Sequence, residues 1–259
     1  MTGFLKFLRP QALLRVALMV MLVSAAVLAS HPAGAAEETL SPAEVEAIQS
    51  VVRDYIREHP EIVGDALKKL VEKQRAEEAE RRRLNIRALG KQLNHDPDSP
   101  VGGNEEGDVT LVEFFDYNCP YCKAVAPNLM KLIEEDKNLR FVFKEFPILG
   151  PVSTFAARAA LASRKQGKYV DFHFALMTLR GRLSEAVVMR VAKQVGLDTD
   201  QLRSDMASPD IDSILKRNGR LAKGLEITGT PAFVIGVELI PGQIEISRLK
   251  ALIEKARKG

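Results

Sequence analysis

Apolar residues recur at three- and four-residue spacing between residues 41 and 70, which predicts amphipathic helices in this part of the chain. Ser41, Pro42 and Glu44 mark the start of the first helix, because they can form a capping box with proline at the first helical position. Pro60 should break or restart the helix, since proline has no amide hydrogen and clashes with the preceding turn. The predicted apolar stripes comprise Val45, Ile48, Val52 and Ile56 in the first helix, and Val63, Leu67 and Leu70 in the second.

The next segment has helical composition but charged residues on every side. Between residues 72 and 83 only two alanines interrupt the polar residues, a pattern typical of helices that bridge domains through solvent. Residues 94–108 are rich in Asp, Pro, Gly and Asn, and predict a loop or linker. We therefore expect residues 36–95 to form a separate helical module. A segment this small rarely supports its own core, so its stripes should associate with copies of the chain, or alternatively pack on the main domain.

Beyond residue 107, runs rich in β-branched and aromatic residues alternate with helical periodicity. Strands are predicted within residues 108–117 and 139–149, with a helix from the two cysteines to about residue 136 between them. Residues 151 to about 224 are predicted to be helical, and a two-stranded hairpin and a closing helix should follow in residues 230–258. This order predicts an α/β domain over residues 96–259, with an inserted helical block.

The first 35 residues have the pattern of a secretory signal peptide. Their only charged residues are three basic ones near the start, and an uncharged run of 14 residues, Val16–Ala29, follows. Ala33-Gly34-Ala35 then supplies a small-x-small cleavage pattern. An uncleaved anchor is the alternative, but a spanning helix needs about 20 apolar residues. We expect an exported protein, cleaved after Ala35 or close to it.

The charge balance limits the possible partners. Without the first 35 residues the chain has 34 basic and 34 acidic residues. A balanced chain gives no electrostatic reason to expect binding to nucleic acid or to an anionic membrane.

The chain has only two cysteines, Cys119 and Cys122. A disulfide between them would close almost no loop, so it would add little as a structural brace in an exported protein. A structural zinc site needs four ligands, and no histidine lies within twenty residues of Cys119. The remaining role is a redox couple, so we expect no metal and no other cofactor.

The Cys-x-x-Cys follows a predicted strand and stands at the predicted start of a helix. This position favours redox chemistry at the first cysteine. The unpaired amides and the positive end of the helix dipole favour a thiolate at Cys119, and the thiolate is the attacking species. Cys122 lies one turn further on the same face, where it can resolve a mixed disulfide.

The sequence FDYNCPYCKAVAP, residues 115–127, resembles the active site of the thioredoxin superfamily. The sequence TGTPAFVIG fits the second signature of that superfamily, which implies a cis peptide bond between Thr230 and Pro231. The order of elements over about residues 105–258 resembles the DsbA branch, a thioredoxin fold with an inserted helical domain. The resemblance implies that Pro120, Tyr121, Thr230 and Pro231 contact the partner's peptide.

Glu113 lies six residues before the first cysteine, where many relatives carry a buried carboxylate. Such a group, its pKa raised by desolvation, could shuttle the proton of Cys122. A glutamate that points into solvent from an edge strand is the alternative. Lys144, on the next predicted strand, could pair with Glu113.

The helical module before the domain resembles the N-terminal region of ScsC-like proteins, some of which are trimeric isomerases. The resemblance implies an exported, periplasmic disulfide isomerase or reductase that is a dimer or trimer. It would act on misfolded secreted proteins with cysteines and be recycled by a membrane redox partner. A DsbA-type oxidase, and a chaperone-like or copper-binding thiol protein, are the alternatives.

Overall fold

The computed structural model describes residues 40–258, so the predicted signal peptide lies outside the described residues. The chain divides into two units between Leu70 and Val71. In the described part of the first unit, helix α1 (Pro42–Glu58) starts as the sequence predicts. The Glu44 amide donates to Ser41 Oγ at 3.4 Å, and the Ser41 amide donates to the Glu44 carboxylate at 2.8 Å.

The apolar stripe of α1 is open to solvent along its whole length. No residue of α1 is buried, and the four stripe residues are between 38% and 50% exposed. The same holds for the predicted stripe after Pro60, where α2 (Pro60–Ala88) begins. A contiguous exposed apolar surface of this kind marks an interaction site in most soluble proteins.

The end of the predicted helical module belongs to the core of the second unit. Ile86, at the end of α2, and Leu93, in α3 (Gly90–Asn94), are buried and pack with Val112, Phe114 and Val142 of the sheet. The boundary that we expected at residue 95 therefore differs from the division at Leu70–Val71. Ile86 and Leu93 follow the charged segment and pack in the core. The charged composition of residues 72–83 gave no indication of this packing, so the predicted module ends too late.

The second unit is built on a five-stranded sheet with the order β1-β3-β2-β4-β5. Strands β2 and β3 are parallel, and all other neighbours are antiparallel. The predicted strands, the cysteine helix and the hairpin are confirmed. The strands are β1 (Val101–Gly103), β2 (Val109–Phe115), β3 (Leu139–Glu145), β4 (Ala232–Ile235) and β5 (Glu238–Pro241).

Strand β1 lies in the segment that we predicted to be a linker. It pairs antiparallel with β3 at the edge of the sheet. Gly103 ends the strand with a φ of +72°, and a Cβ there would lie 2.5 Å from the Leu139 carbonyl oxygen. Three residues with two glycines carry too little pattern for a sequence-based prediction.

Helices cover the sheet and form the predicted insertion between β3 and β4. The cysteine helix α4 (Pro120–Glu135) and the closing helix α10 (Ile246–Lys258) lie outside this insertion in sequence. The insertion consists of α5 (Pro151–Ser163), a short 3-10 turn (Arg164–Gln166), α6 (Tyr169–Met177), α7 (Glu185–Gln194), α8 (Thr199–Met206) and α9 (Pro209–Gly224).

The sheet separates two apolar clusters. Leu111, Phe115 and Phe143 face the cluster that contains α4 and most of the insertion. Val112 and Phe114, which alternate with them along β2, face the cluster with Ile86 and Leu93. The cysteine pair lies in the first of these clusters.

Candidate active site

Cys119 lies at the N-cap of α4, directly after the loop that follows β2. Pro120 occupies the first helical position, where its missing amide hydrogen interrupts no helical bond. The Cys119 side chain is 3% exposed, and its thiol donates a hydrogen bond to the Thr230 carbonyl oxygen over 3.2 Å. The sulfur of Cys119 therefore lies against the loop before β4.

Cys122 lies one turn into α4 and is fully buried. Burial raises the pKa of its thiol strongly, and the nearby charge of Glu113 raises it further. Both cysteines are free thiols in this structure. Cys122 therefore holds its proton until a base removes it.

The peptide bond between Thr230 and Pro231 is cis, as the resemblance implies. Pro231 is buried, and Thr230 is partly exposed beside Cys119. A cavity of about 180 Å³ adjoins this loop and is lined by Thr228, Gly229 and Leu239, among others. The loop thus presents the Thr230 carbonyl group to the first cysteine, and neither cysteine lines the cavity.

Glu113 is buried, with 2% of its surface exposed, and β2 is an internal strand of the sheet. The alternative of a solvent-facing glutamate on an edge strand is therefore wrong. Burial raises the pKa of Glu113 to about 8, and the neighbouring Cys119 adds to this effect. At neutral pH Glu113 is largely protonated, within the electrostatic influence of both cysteines.

Lys144 does not pair with Glu113. In the parallel ladder Glu113 lies opposite Phe143, and Lys144 lies opposite Phe114. Because side chains alternate along a strand, Glu113 and Lys144 point to opposite faces of the sheet. The Lys144 ammonium instead donates to the carbonyl oxygen of Gln92 at 2.7 Å, to the hydroxyl of Ser99 at 2.7 Å and to the carboxylate of Asp96 at 3.4 Å.

The two remaining predicted site residues lie at the exposed start of α4. Pro120 is exposed, and Tyr121 has 60% of its surface exposed. The structure brings Cys119, Cys122 and the Thr230–Pro231 loop together, with Glu113 beneath them. The contacts of these residues with a partner's peptide stay predictions.

Asp116 was missed by the sequence analysis, although it lies three residues before Cys119. It is 1% exposed, and its carboxylate accepts three backbone amide hydrogens. One comes from Asn118 at 2.7 Å, and two come from Ile148 and Leu149 at 2.8 and 2.9 Å. This carboxylate joins the loop before the cysteines to the loop after β3, where Ile148 and Leu149 are exposed.

A second missed group comprises Tyr117, Glu145, Tyr169 and His173, which are all buried. They are joined by hydrogen bonds and come from the cysteine loop, β3 and α6. The sequence analysis left His173 unused, and no local motif links these four positions. Among residues 40–258, no three His, Cys, Asp or Glu side chains are arranged to hold a metal ion.

Residues 110–254 match the family described as the DSBA-like thioredoxin domain. The chain belongs to the DSBA-like thioredoxin family. This DSBA-like chain also matches the N-terminal domain of the copper resistance protein ScsC over residues 44–77, which include both apolar stripes. The fold and the family are therefore those of a DSBA-like thioredoxin domain.

Two solved structures illustrate the similarity of the DSBA-like chain to known proteins. A thioredoxin-like oxidoreductase from Silicibacter pomeroyi DSS-3 is 50% identical, with a TM-score of 0.64, and the match covers 65% of this chain and 98% of that one. BcfH from Salmonella enterica Typhimurium is 31% identical, with a TM-score of 0.71, over 83% of this chain and 96% of that one.

The first curated relatives are much longer proteins. The Na(+)/H(+) antiporter NhaA 3 of Salinispora tropica is 30% identical over 170 residues, which are 62% of this chain and 25% of the antiporter. The DSBA-like chain thus spans about a quarter of the length of these relatives. Within residues 40–258, no helix is both long and apolar enough to cross a membrane.

Proposed function

We propose that this protein is an exported thiol–disulfide oxidoreductase that rearranges or reduces disulfides in other proteins, working as a homo-oligomer. The observation that carries the redox chemistry is the position of Cys119. Its thiol lies at the start of α4 and contacts the loop of the cis-proline, with a fully buried Cys122 one turn behind it. Cys119 keeps 3% of its surface exposed and Cys122 none, so Cys119 is proposed to be the cysteine that meets a partner's disulfide.

In the proposed reaction, the Cys119 thiolate attacks one sulfur of a client disulfide and forms a mixed disulfide, while the other client sulfur leaves as a thiolate. In isomerisation, another client thiolate attacks the mixed disulfide and releases Cys119, with no net oxidation. In reduction, Glu113 first releases its own proton to solvent, and its carboxylate then takes the proton of Cys122. The Cys122 thiolate displaces the client from Cys119. The client leaves reduced and the pair is oxidised.

The Thr230 carbonyl oxygen, which accepts the thiol hydrogen of Cys119, is proposed to accept a client's backbone amide during the reaction. The exposed side chains of Pro120 and Tyr121 would flank the same client segment. The proposed clients are misfolded secreted proteins with cysteines, and a membrane redox partner would recycle the pair. Export to the periplasm rests on the predicted signal peptide, residues 1–35.

The exposed apolar stripes support assembly of two or three copies through the N-terminal helices. Twelve large hydrophobic residues in residues 40–71 have more than a third of their surface exposed. The match to the ScsC N-terminal domain covers the same helices. Several active sites in one particle would keep a client within reach of a second cysteine pair, which suits isomerisation better than simple donation of a disulfide.

The test compares two charge-matched variants of α1 in the chain that starts after Ala35. Ile48→Glu with Ile56→Glu places charges on the stripe, and Ala47→Glu with Ser50→Glu places them on the opposite face. We would measure the mass in solution and the reactivation of scrambled, oxidised ribonuclease by the reduced protein. We expect the stripe variant to lose both assembly and reactivation, and the control to keep both.

Failure of the unmodified protein to reactivate ribonuclease, together with fast disulfide donation by its oxidised form, would identify a DsbA-type oxidase instead. Client binding that persists when both cysteines are replaced by serine would support a chaperone-like role. Reactivation that survives loss of assembly would refute the role of the helices.

A further inference from the structure

Behind the cysteine loop lies a buried hydrogen-bonded group, Tyr117, Glu145, Tyr169 and His173, which we call the Glu145 network. Its centre is one oxygen atom, Glu145 Oε1, which accepts from the hydroxyl of Tyr169 at 2.7 Å and from that of Tyr117 at 3.0 Å. The Tyr117 hydroxyl is also 3.1 Å from His173 Nδ1. The redox chemistry described above uses none of these groups.

Burial disfavours the charged forms of the groups in the Glu145 network. Glu145 is 1% exposed, and its second oxygen has no hydrogen-bond partner among residues 40–258. Burial raises the pKa of Glu145 well above its usual range, and burial lowers the pKa of His173 to about 3. Glu145 Oε1 can accept both hydroxyl hydrogens in either protonation state, so the geometry alone defines the network.

The two tyrosines connect different parts of the protein to Glu145. Tyr169 belongs to α6 of the insertion, whereas Tyr117 lies in the loop that carries Cys119, two residues before it. The neighbouring Asp116 holds the same loop through its carboxylate, which accepts the amides of Ile148 and Leu149. Two consecutive loop residues are therefore fastened to the end of β3 and the loop after it, one through Asp116 and one through Tyr117.

We propose that Glu145 is a positioning residue for Cys119, which it holds through the hydroxyl group of Tyr117 in the orientation that attacks a disulfide. The inference rests on the proposed role of Cys119 as the attacking thiol. Loss of the bond between Tyr117 and Glu145 would free one of the two anchors of the loop, and Cys119 would sample positions away from the Thr230 carbonyl. Small displacements of a reacting group lower rates steeply, by up to about 100-fold for 1 Å.

The network offers a matched pair of variants for the test. Tyr117→Phe and Tyr169→Phe each remove one hydroxyl that donates to the same oxygen, and each keeps the packed ring. We would measure the rate constant of the reduced protein with oxidised glutathione, well below the melting temperature of each variant. We expect about a 10-fold fall for Tyr117→Phe and the unmodified rate for Tyr169→Phe. Equal rates for the two variants would overturn the inference.

A second pair tests Glu145 itself. Glu145→Gln keeps a carbonyl oxygen for both tyrosines, whereas Glu145→Met has similar length but no acceptor of comparable strength. We expect glutamine to preserve both the rate and the reduction potential of the cysteine pair, and methionine to slow the reaction about 10-fold. A glutamine variant as slow as the methionine variant, or a methionine variant as fast as the unmodified protein, would contradict the inference.

A Cys119→Ser control separates the two levels of the proposal. Reaction of the unmodified protein that persists in Cys119→Ser would refute the proposed role of Cys119. A rate constant that depends on Cys119 but is unchanged by Tyr117→Phe would refute only the role of Glu145.

Discussion

Replacing Glu113 by glutamine should remove a pH dependence of stability that the buried carboxyl imposes on the fold. The pKa of Glu113 is about 8 in the folded protein, against a usual value of 4.5. Between these pH values the folded state binds a proton that the unfolded state has lost. This proton stabilises the fold fully at pH values below 4.5, and the stabilisation disappears as the pH rises through 8.

The magnitude follows from the two pKa values. Between pH 6 and pH 8 the free energy of unfolding should fall by about 2 kcal/mol more in the unmodified protein than in Glu113→Gln. Any constant effect of the substitution cancels, because only the change with pH is compared. The contributions of other titrating groups, including Glu145 and His173, are common to both proteins and cancel as well.

The assay is urea unfolding of both reduced proteins at the two pH values. Burial is the largest cause of the raised pKa and Cys119 the second, so the difference should shrink but persist when the cysteines are oxidised. Parallel behaviour of the two proteins within about 0.5 kcal/mol, the usual error of such comparisons, would refute the assignment of a proton to Glu113 at neutral pH.

Three further predictions concern the pair and the core. Cys122→Ser should trap a mixed disulfide with a client, visible as an adduct on non-reducing gels, and the adduct should vanish when Cys119 is also replaced; release of the client at the normal rate would count against the two-cysteine mechanism. Leu93→Ala should lower the free energy of unfolding by about 2–5 kcal/mol in urea titrations, because Leu93 is fully buried. The matched change at Leu84, which is 54% exposed, should stay within about 0.5 kcal/mol, and equal losses would contradict the packing of the α2–α3 region. Lys144→Met should lower the free energy of unfolding by about 3 kcal/mol in the same assay, because it leaves the buried acceptors of the ammonium group unpaired. An unchanged free energy of unfolding would show that these hydrogen bonds do not stabilise the fold.

The elements of the fold were predictable because their signals are local. The capping box at Ser41, the break at Pro60 and the two apolar stripes each lie within one or two helical turns of sequence. The Cys-x-x-Cys and Thr230–Pro231 signatures are equally short. The first predicts a helix start, and the second predicts a cis peptide bond. Such patterns can be recognised in the sequence without any knowledge of tertiary contacts.

The packing of the module's end and the Glu145 network were not predictable in this way. Ile86 and Leu93 do recur at helical spacing, but a long charged segment precedes them and gives no sign that the chain returns to the core. Glu145 and Tyr117 are 28 residues apart, and only the sheet and α6 bring their side chains together with His173. Lys144 suggested an ion pair with Glu113 because the two residues have opposite charges and lie on neighbouring strands. Their charges alone do not show that the side chains point to opposite faces of the sheet.

The alternation of side chains along β3 has a consequence for the chemistry of the pair. Lys144 lies one strand away from Glu113, yet the thickness of the sheet separates their charges and directs the ammonium group to Ser99. An ammonium group beside Glu113 would lower the pKa of its carboxyl group, and the carboxylate would then be a weaker base for the proton of Cys122. A slip of one residue between β2 and β3 would put both groups on the same face. The pairing register of two strands therefore decides how strong a base the active site offers to Cys122.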